Sequence, residues 1–97
     1  MLTSRTTGSA GETFTLAMRE NENVRHWGDT TQGIFSENPR RELPNGWIYT
    51  ISVGDYRNAE GISLEGIGIA PQVIAVNSKE DILAGQDSVI EKVLNDL

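Results

Sequence analysis

Apolar and polar residues recur with two periods along this 97-residue chain. From Ala10 the spacing is helical. Ala10, Phe14, Ala17 and Met18 fall at i, i+4, i+7 and i+8, with Leu16 at the border of the stripe. This predicts a helix over residues 10–21, with Arg19, Glu20 and Glu22 on its solvated side or at its exit. Asn21 and Asn23 suit its end, because a short amide side chain tolerates the left-handed conformation. Around Trp47 the period changes to two. Trp47, Tyr49, Ile51 and Val53 alternate with Ile48, Thr50 and Ser52, which predicts a strand with one packed and one partly solvated side. The turn Leu43-Pro44-Asn45-Gly46 precedes it, with Pro presetting φ and Asn or Gly accepting a positive φ next.

Shorter signals fill in the rest. Met1–Thr7 reads as the end of a strand, Val24–Trp27 as a short strand closed by Gly28-Asp29, and Ile34-Phe35 as an extended piece. Residues 36–41, with Pro39, read as a loop. Glu65-Gly66-Ile67-Gly68-Ile69-Ala70-Pro71 predicts a tight bend, followed by a strand over Gln72–Val76. Ser78 has the form of an N-cap for one or two helical turns ending near Leu83, and Gly85 breaks that piece. Asp87 caps a last helix striped by Val89, Ile90, Val93, Leu94 and Leu97. The order helix, several strands, helix makes residues 1–97 a single α/β or α+β domain.

Composition narrows the partners. Eight Lys+Arg against 14 Asp+Glu give a formal charge of −6, and Arg40-Arg41, the only basic cluster, runs straight into Glu42. A nucleic acid is therefore not the expected partner, because neutralising phosphates needs a basic face. With no cysteine, disulfides, thiolate metal sites and cysteine nucleophiles are excluded. No apolar run approaches the roughly 18 residues of a membrane span. The acidic spacings Glu20/Glu22 and Glu80/Asp81, with one histidine, make no recognisable ligand set, so no metal or cofactor is expected. Glu65-Gly66-Ile67-Gly68 lacks the Lys-Ser/Thr of a phosphate loop.

The stretch Thr6-Thr7-Gly8-Ser9-Ala10-Gly11-Glu12 carries the candidate chemistry, and two readings of it stand side by side. Ser9-x-x-Glu12 is a capping box, in which the hydroxyl accepts from the N3 amide and Glu12 reaches back to the Ser9 amide. A serine among small residues at a helix N-terminus is also an exposed oxygen beside open amides that favour a developing oxyanion. The only histidine, His26, is the obvious base to pair with it. Its place in a strand after the helix reads instead as a packing position.

Four segments together resemble the C-terminal part of the S41 family of serine peptidases. They are Thr7 to Phe14, Gly28-Asp29-Thr30-Thr31-Gln32-Gly33, Arg41 to Trp47, and Leu64 to Pro71, in that order and at those spacings. The family comprises the tail-specific or C-terminal processing proteases and their tricorn-core and retinoid-binding-protein relatives. The likeness runs from about Thr3 to the last helix. It implies a crotonase/ClpP-like α/β fold, Ser9 at the nucleophile position and the Ala10 N–H as one oxyanion donor.

The chain departs from the family pattern in two places. Many members carry a lysine base just after the glycine that corresponds to Gly33; here Ile34 stands there, and neither Lys79 nor Lys92 falls at that place. The chain is thus similar to the branch with a Ser–His–Ser–Glu arrangement, whose histidine lies on an upstream segment. In that branch an acidic residue near the Glu-Gly-x-Gly-Ile-x-Pro stretch orients the histidine. Glu65 matches that acid, and reads equally as a turn residue bonding backbone amides. The upstream strands of the family are also missing, as in a truncated half-site.

These expectations define a segment of a serine endopeptidase acting on peptide or protein substrates, inactive alone for want of its base. The alternative is a non-catalytic peptide-binding or assembly module that keeps the fold. The resemblance implies a periplasmic or cell-envelope setting. A truncated sheet with open edges predicts a homo-oligomer.

Overall fold

A computed structural model describes residues 1–97. The elements in chain order are β1 (Leu2–Thr3), α1 (Ala10–Arg19), β2 (Trp27–Gly28), β3 (Arg40–Glu42), β4 (Ile48–Thr50), β5 (Val73–Ile74), α2 (Lys79–Ala84) and α3 (Ser88–Asp96). Two sheets organise them. β1, β2 and β5 form a parallel sheet in that order, and β3 and β4 form an antiparallel ribbon. The fold is α/β, with the parallel strands joined through α1 and through the long excursion that holds the ribbon.

Register sorts the parallel sheet into two sides. Leu2, Trp27 and Val73 are paired across the strands, as are Thr3, Gly28 and Ile74. The strands come so close that Gly28 is obligatory: a Cβ built there would lie 1.9 Å from the Thr3 carbonyl oxygen, at a φ of +120°. His26, predicted as a packing residue, is fully buried. Its Nε2 lies 2.7 Å from Thr3 Oγ1, which itself donates to the Asp29 carbonyl at 2.8 Å. The hydroxyl proton is thus engaged, so Nε2 carries the imidazole proton and Nδ1 is left as a bare lone pair without a partner. A second proton on the ring would find no acceptor. Burial, reinforced by Arg19 and the terminal ammonium, accordingly holds the His26 pKa below its ordinary value.

Several expectations need correction. α1 ends at Arg19, two residues early, and the residues it buries are Glu12 and Thr15. Phe14, assigned to the apolar stripe, is 61% exposed. Polar groups take the inner face because each has a partner: Thr15 Oγ1 donates to the Gly11 carbonyl, and Glu12 is saturated as described below. Arg40 and Arg41, read as the end of a loop, begin the first strand of the ribbon, Arg40–Glu42, in register with Ile48–Thr50. The long strand expected over Trp47–Val53 is regular only over Ile48–Thr50, and no residue of β3 or β4 is buried. Trp47 is 73% exposed.

The C-terminal helices follow their caps. Ser78 Oγ accepts the Asp81 amide, and the Asp81 carboxylate accepts the Ser78 amide in return. Those bonds to Ser78, with one from Ser88, hold the Asp81 carboxyl below its usual range. Gly85 ends α2 in the left-handed conformation, and Asp87 accepts the Ile90 amide at the start of α3. No helix is long and apolar enough to cross a membrane.

The molecule is a thin plate of 57 × 36 × 15 Å with a radius of gyration of 16.9 Å. A compact chain of this length has a radius of ~12.5 Å. Thirteen residues are buried, and among the apolar ones only Trp27, Phe35, Ile69 and Ala75. Leu43, Trp47, Ile51 and Val53 on the ribbon and Ile82, Leu83, Leu94 and Leu97 on the last helices stand exposed.

Candidate active site

Ser9 ends the connection from β1 to α1, and its backbone is the local anomaly. It is the only non-glycine residue with a positive φ, at φ 51° and ψ −121°. Those angles, with the Gly11 amide bonded to the Gly8 carbonyl at 3.0 Å, define a type II′ turn with Ser9 at its second position. Glycine normally occupies that position, since an L side chain there crowds its own backbone. The sequence supplies serine.

The predicted capping box between Ser9 and Glu12 is in place, with arms of unequal strength. The Ser9 amide donates to Glu12 Oε2 at 3.1 Å and to the Ile34 carbonyl at 3.0 Å. The Ser9 hydroxyl is the weak arm and makes no capping hydrogen bond to the helix. Its carbonyl instead accepts the Glu12 and Thr13 amides, at 2.8 and 3.1 Å. The Ala10 N–H has no acceptor within the chain. An exposed hydroxyl therefore stands beside a free amide at the positive end of α1, where a developing oxyanion is favoured.

Glu12 is the hub beneath this turn. Its side chain is completely buried. Oε1 accepts Thr31 Oγ1–H at 2.5 Å and the Gly33 amide at 2.6 Å; Oε2 accepts the Ile34 amide at 2.9 Å besides that of Ser9. Four donors fill the four acceptor sites of a carboxylate. Thr31 extends the network, since its Oγ1 accepts the Ile69 amide at 2.7 Å. Gly68 lies against Thr31 so closely that an added Cβ would sit 2.2 Å from its carbonyl oxygen, at φ +82°.

The other expected residues lie in three places. Glu65 Oε2 accepts the Phe35 and Ser36 amides at 3.0 and 3.1 Å, the turn-residue reading of this position; Oε1 is without a hydrogen bond. Ile34 packs at Gly8, where its Cδ1 lies 2.9 Å from the place a Cβ would occupy. His26 is committed to Thr3 within the sheet and makes no bond to Ser9. The structure thus brings Ser9, Ala10, Ile34 and, one strand-like step further, Glu65 onto one connected network without a side-chain base. Reading by spacing missed the roles of Thr31 and of Ser36, whose hydroxyl accepts the Val53 and Gly54 amides and ties the ribbon to the network. Only the Ser-x-x-Glu spacing signalled any of it. No group of His, Cys, Asp and Glu side chains is arranged to hold a metal ion.

A strand, a strained serine turn and a helix, followed by a glycine-rich second loop clamped to that turn, define a peptidase-type fold. The chain belongs to peptidase family S41, whose model matches residues 1–75. A search of curated proteins gave no match. Among solved structures it is similar to a candidate peptidase from Parabacteroides merdae, with 33% identity, a TM-score of 0.87 and 97% of this chain covered. It is also similar to mature CPAF in complex with lactacystin (19% identity, TM-score 0.84, 95% of this chain) and to the tricorn protease (22%, 0.77, 98%). The chain spans only 30%, 18% and 10% of those three chains, respectively.

Proposed function

We propose that this chain is the nucleophile-bearing segment of a serine-type endopeptidase of crotonase-like fold. Ser9 gives its hydroxyl proton to a base and attacks a peptide carbonyl, and the Ala10 N–H donates to the tetrahedral oxyanion. The C–N bond breaks as the amine leaves with that proton, giving an acyl-enzyme that water hydrolyses. The general base comes from outside this chain. The free Oε1 of Glu65 is the acceptor that orients it, while Oε2 stays anchored on Phe35 and Ser36. The observation that carries this reading is the strained turn: a serine held at a glycine position, with no bond to its own hydroxyl, answers to chemistry and not to packing.

The test supplies the missing base. The chain is incubated with a fluorophosphonate and increasing imidazole, and the label is located by mass spectrometry. Without imidazole, labelling is slow; with it, Ser9 is labelled well ahead of the exposed Ser4, and Ser9→Ala removes that signal. Rapid labelling without imidazole overturns the outside-base assignment. Equal labelling of Ser9 and Ser4 overturns the nucleophile reading. That last result supports the alternative, a non-catalytic peptide-binding or assembly module, which Ile34 at the family's base position favours. Either way the bare apolar positions of the ribbon and of α2 and α3 call for a covering surface, so self-association through them belongs to the proposal.

A further inference from the structure

We infer that Glu12 is a positioning residue: it holds Ser9 in its attacking conformation and locks the Thr31–Ile34 loop to it. The catalytic meaning of this inference rests on the reading of Ser9 as nucleophile; the mechanical claim does not. A serine at the second position of a II′ turn leaves that conformation unless something opposes the strain. The Ser9 amide is gripped from two sides, by Glu12 Oε2 and the Ile34 carbonyl. Ile34 in turn donates its own amide to the same Oε2. One buried oxygen therefore binds both partners of the contact that fixes Ser9. The other oxygen binds Thr31 and Gly33, so the loop cannot move away from the turn without leaving a buried carboxylate short of its donors.

An ordinary capping glutamate is solvated and answers to one amide. Glu12 has no exposed surface and answers to four donors from two segments. Glutamine cannot replace it. Each oxygen already accepts two hydrogens, so whichever is exchanged for an NH2 group leaves two donors facing a donor.

The experiment is amide hydrogen exchange on the 97-residue chain. Glu12→Gln is expected to speed exchange at Gly33 and Ile34 by about tenfold or more, the loss expected for bonds to a carboxylate. It is also expected to speed exchange at Gly11, whose amide closes the Ser9 turn and never touches Glu12. Adding Ser9→Gly removes the strain. Gly11 should then return to within about threefold of its original rate, while Gly33 and Ile34 stay fast. A purely structural carboxylate would move only the amides it binds, those of Ser9, Gly33 and Ile34, so an unchanged Gly11, or a Gly11 that Ser9→Gly does not rescue, overturns the inference. If Glu12→Gln does not fold, the unaltered chain decides. Ser9, Gly11, Gly33 and Ile34 opening as one unit with a shared denaturant dependence supports the inference, and a separate opening of Ser9 and Gly11 overturns it. Failure of Ser9 to label with imidazole would instead remove the nucleophile reading and leave these exchange rates untouched.

Discussion

Replacing Ser9 by glycine should make the chain more stable, although it deletes a residue at the proposed reaction centre. At φ 51° and ψ −121° the serine is in a region that costs an L residue of order 1–3 kcal/mol. Glycine removes that cost. Only a few tenths of a kcal/mol are lost in return from the folded side, because the hydroxyl makes no capping hydrogen bond and the residue is exposed. The unfolded chain gains freedom with glycine, which offsets about 0.4–1 kcal/mol. The net gain is roughly 1 kcal/mol, equivalent to about 4–8 °C in Tm for a domain of this size. Ser9→Ala is the control, for it keeps the strain and removes only the hydroxyl. Urea unfolding of the three chains, followed by circular dichroism with unchanged m-values, should place Ser9→Gly above both the parent and Ser9→Ala. If Ser9→Gly is no more stable than Ser9→Ala, the turn stores no strain, and the argument from strain to function fails with it.

Four further outcomes follow from the same geometry. Gly68→Ala and Gly46→Ala both place a side chain at a φ near +82°, but only the first meets an obstacle, the Thr31 carbonyl oxygen. Urea unfolding should show Gly68→Ala costing upward of about 3 kcal/mol and Gly46→Ala about 1–2 kcal/mol. Burial makes His26 harder to protonate when folded, whereas its unfolded form takes up a proton below about pH 6.5. The unfolded state then binds more protons, so stability should fall as the pH drops from 7 towards 5 in the parent chain and less so in His26→Gln. Ile34→Lys places an amine beside the Ser9 turn, and should raise fluorophosphonate labelling of Ser9 at least ~10-fold if proton removal is what the site lacks; general bases contribute about 10²–10⁴. Trp47→Ser should change unfolding free energy by less than about 0.5 kcal/mol and weaken self-association in sedimentation velocity, because the side chain is 73% exposed.

The legible parts of this chain were those governed by residues close in sequence. The caps at Ser78 and Asp87, the break at Gly85 and the turn through Asn45-Gly46 depend on local backbone chemistry, and each stands where its residues predict. The parallel strands were legible as extended pieces, but their brevity was not, since two-residue ladders leave little pattern. β3 was missed because Arg40-Arg41-Glu42 shows no alternation; only its pairing with β4 makes it a strand. The inner face of α1 was misread for a deeper reason. Apolar spacing reports which residues water rejects, whereas Glu12 and Thr15 are buried because donors from remote segments satisfy them. Ser9 was legible as a position, and its strain was not. Glu65 takes the turn-residue role through Oε2, bonding two backbone amides of the Phe35-Ser36 segment.

The parallel sheet also fixes when this fold can form. β2 lies in the middle, and its second neighbour, β5, follows it by 46 residues, from Trp27 to Val73. The main-chain groups of His26 wait for the same segment, since Gln72 supplies both an amide and a side-chain acceptor to them. During synthesis, the serine turn and α1 emerge before β5, so their sheet cannot close until the segment through Ile74 has been made. Non-local parallel pairing of this kind is slow and leaves apolar edges open in the interval. The ribosome-bound chain is thus at its most aggregation-prone while the ribbon is being made, a window in which a chaperone that grips extended apolar segments would have most to offer it.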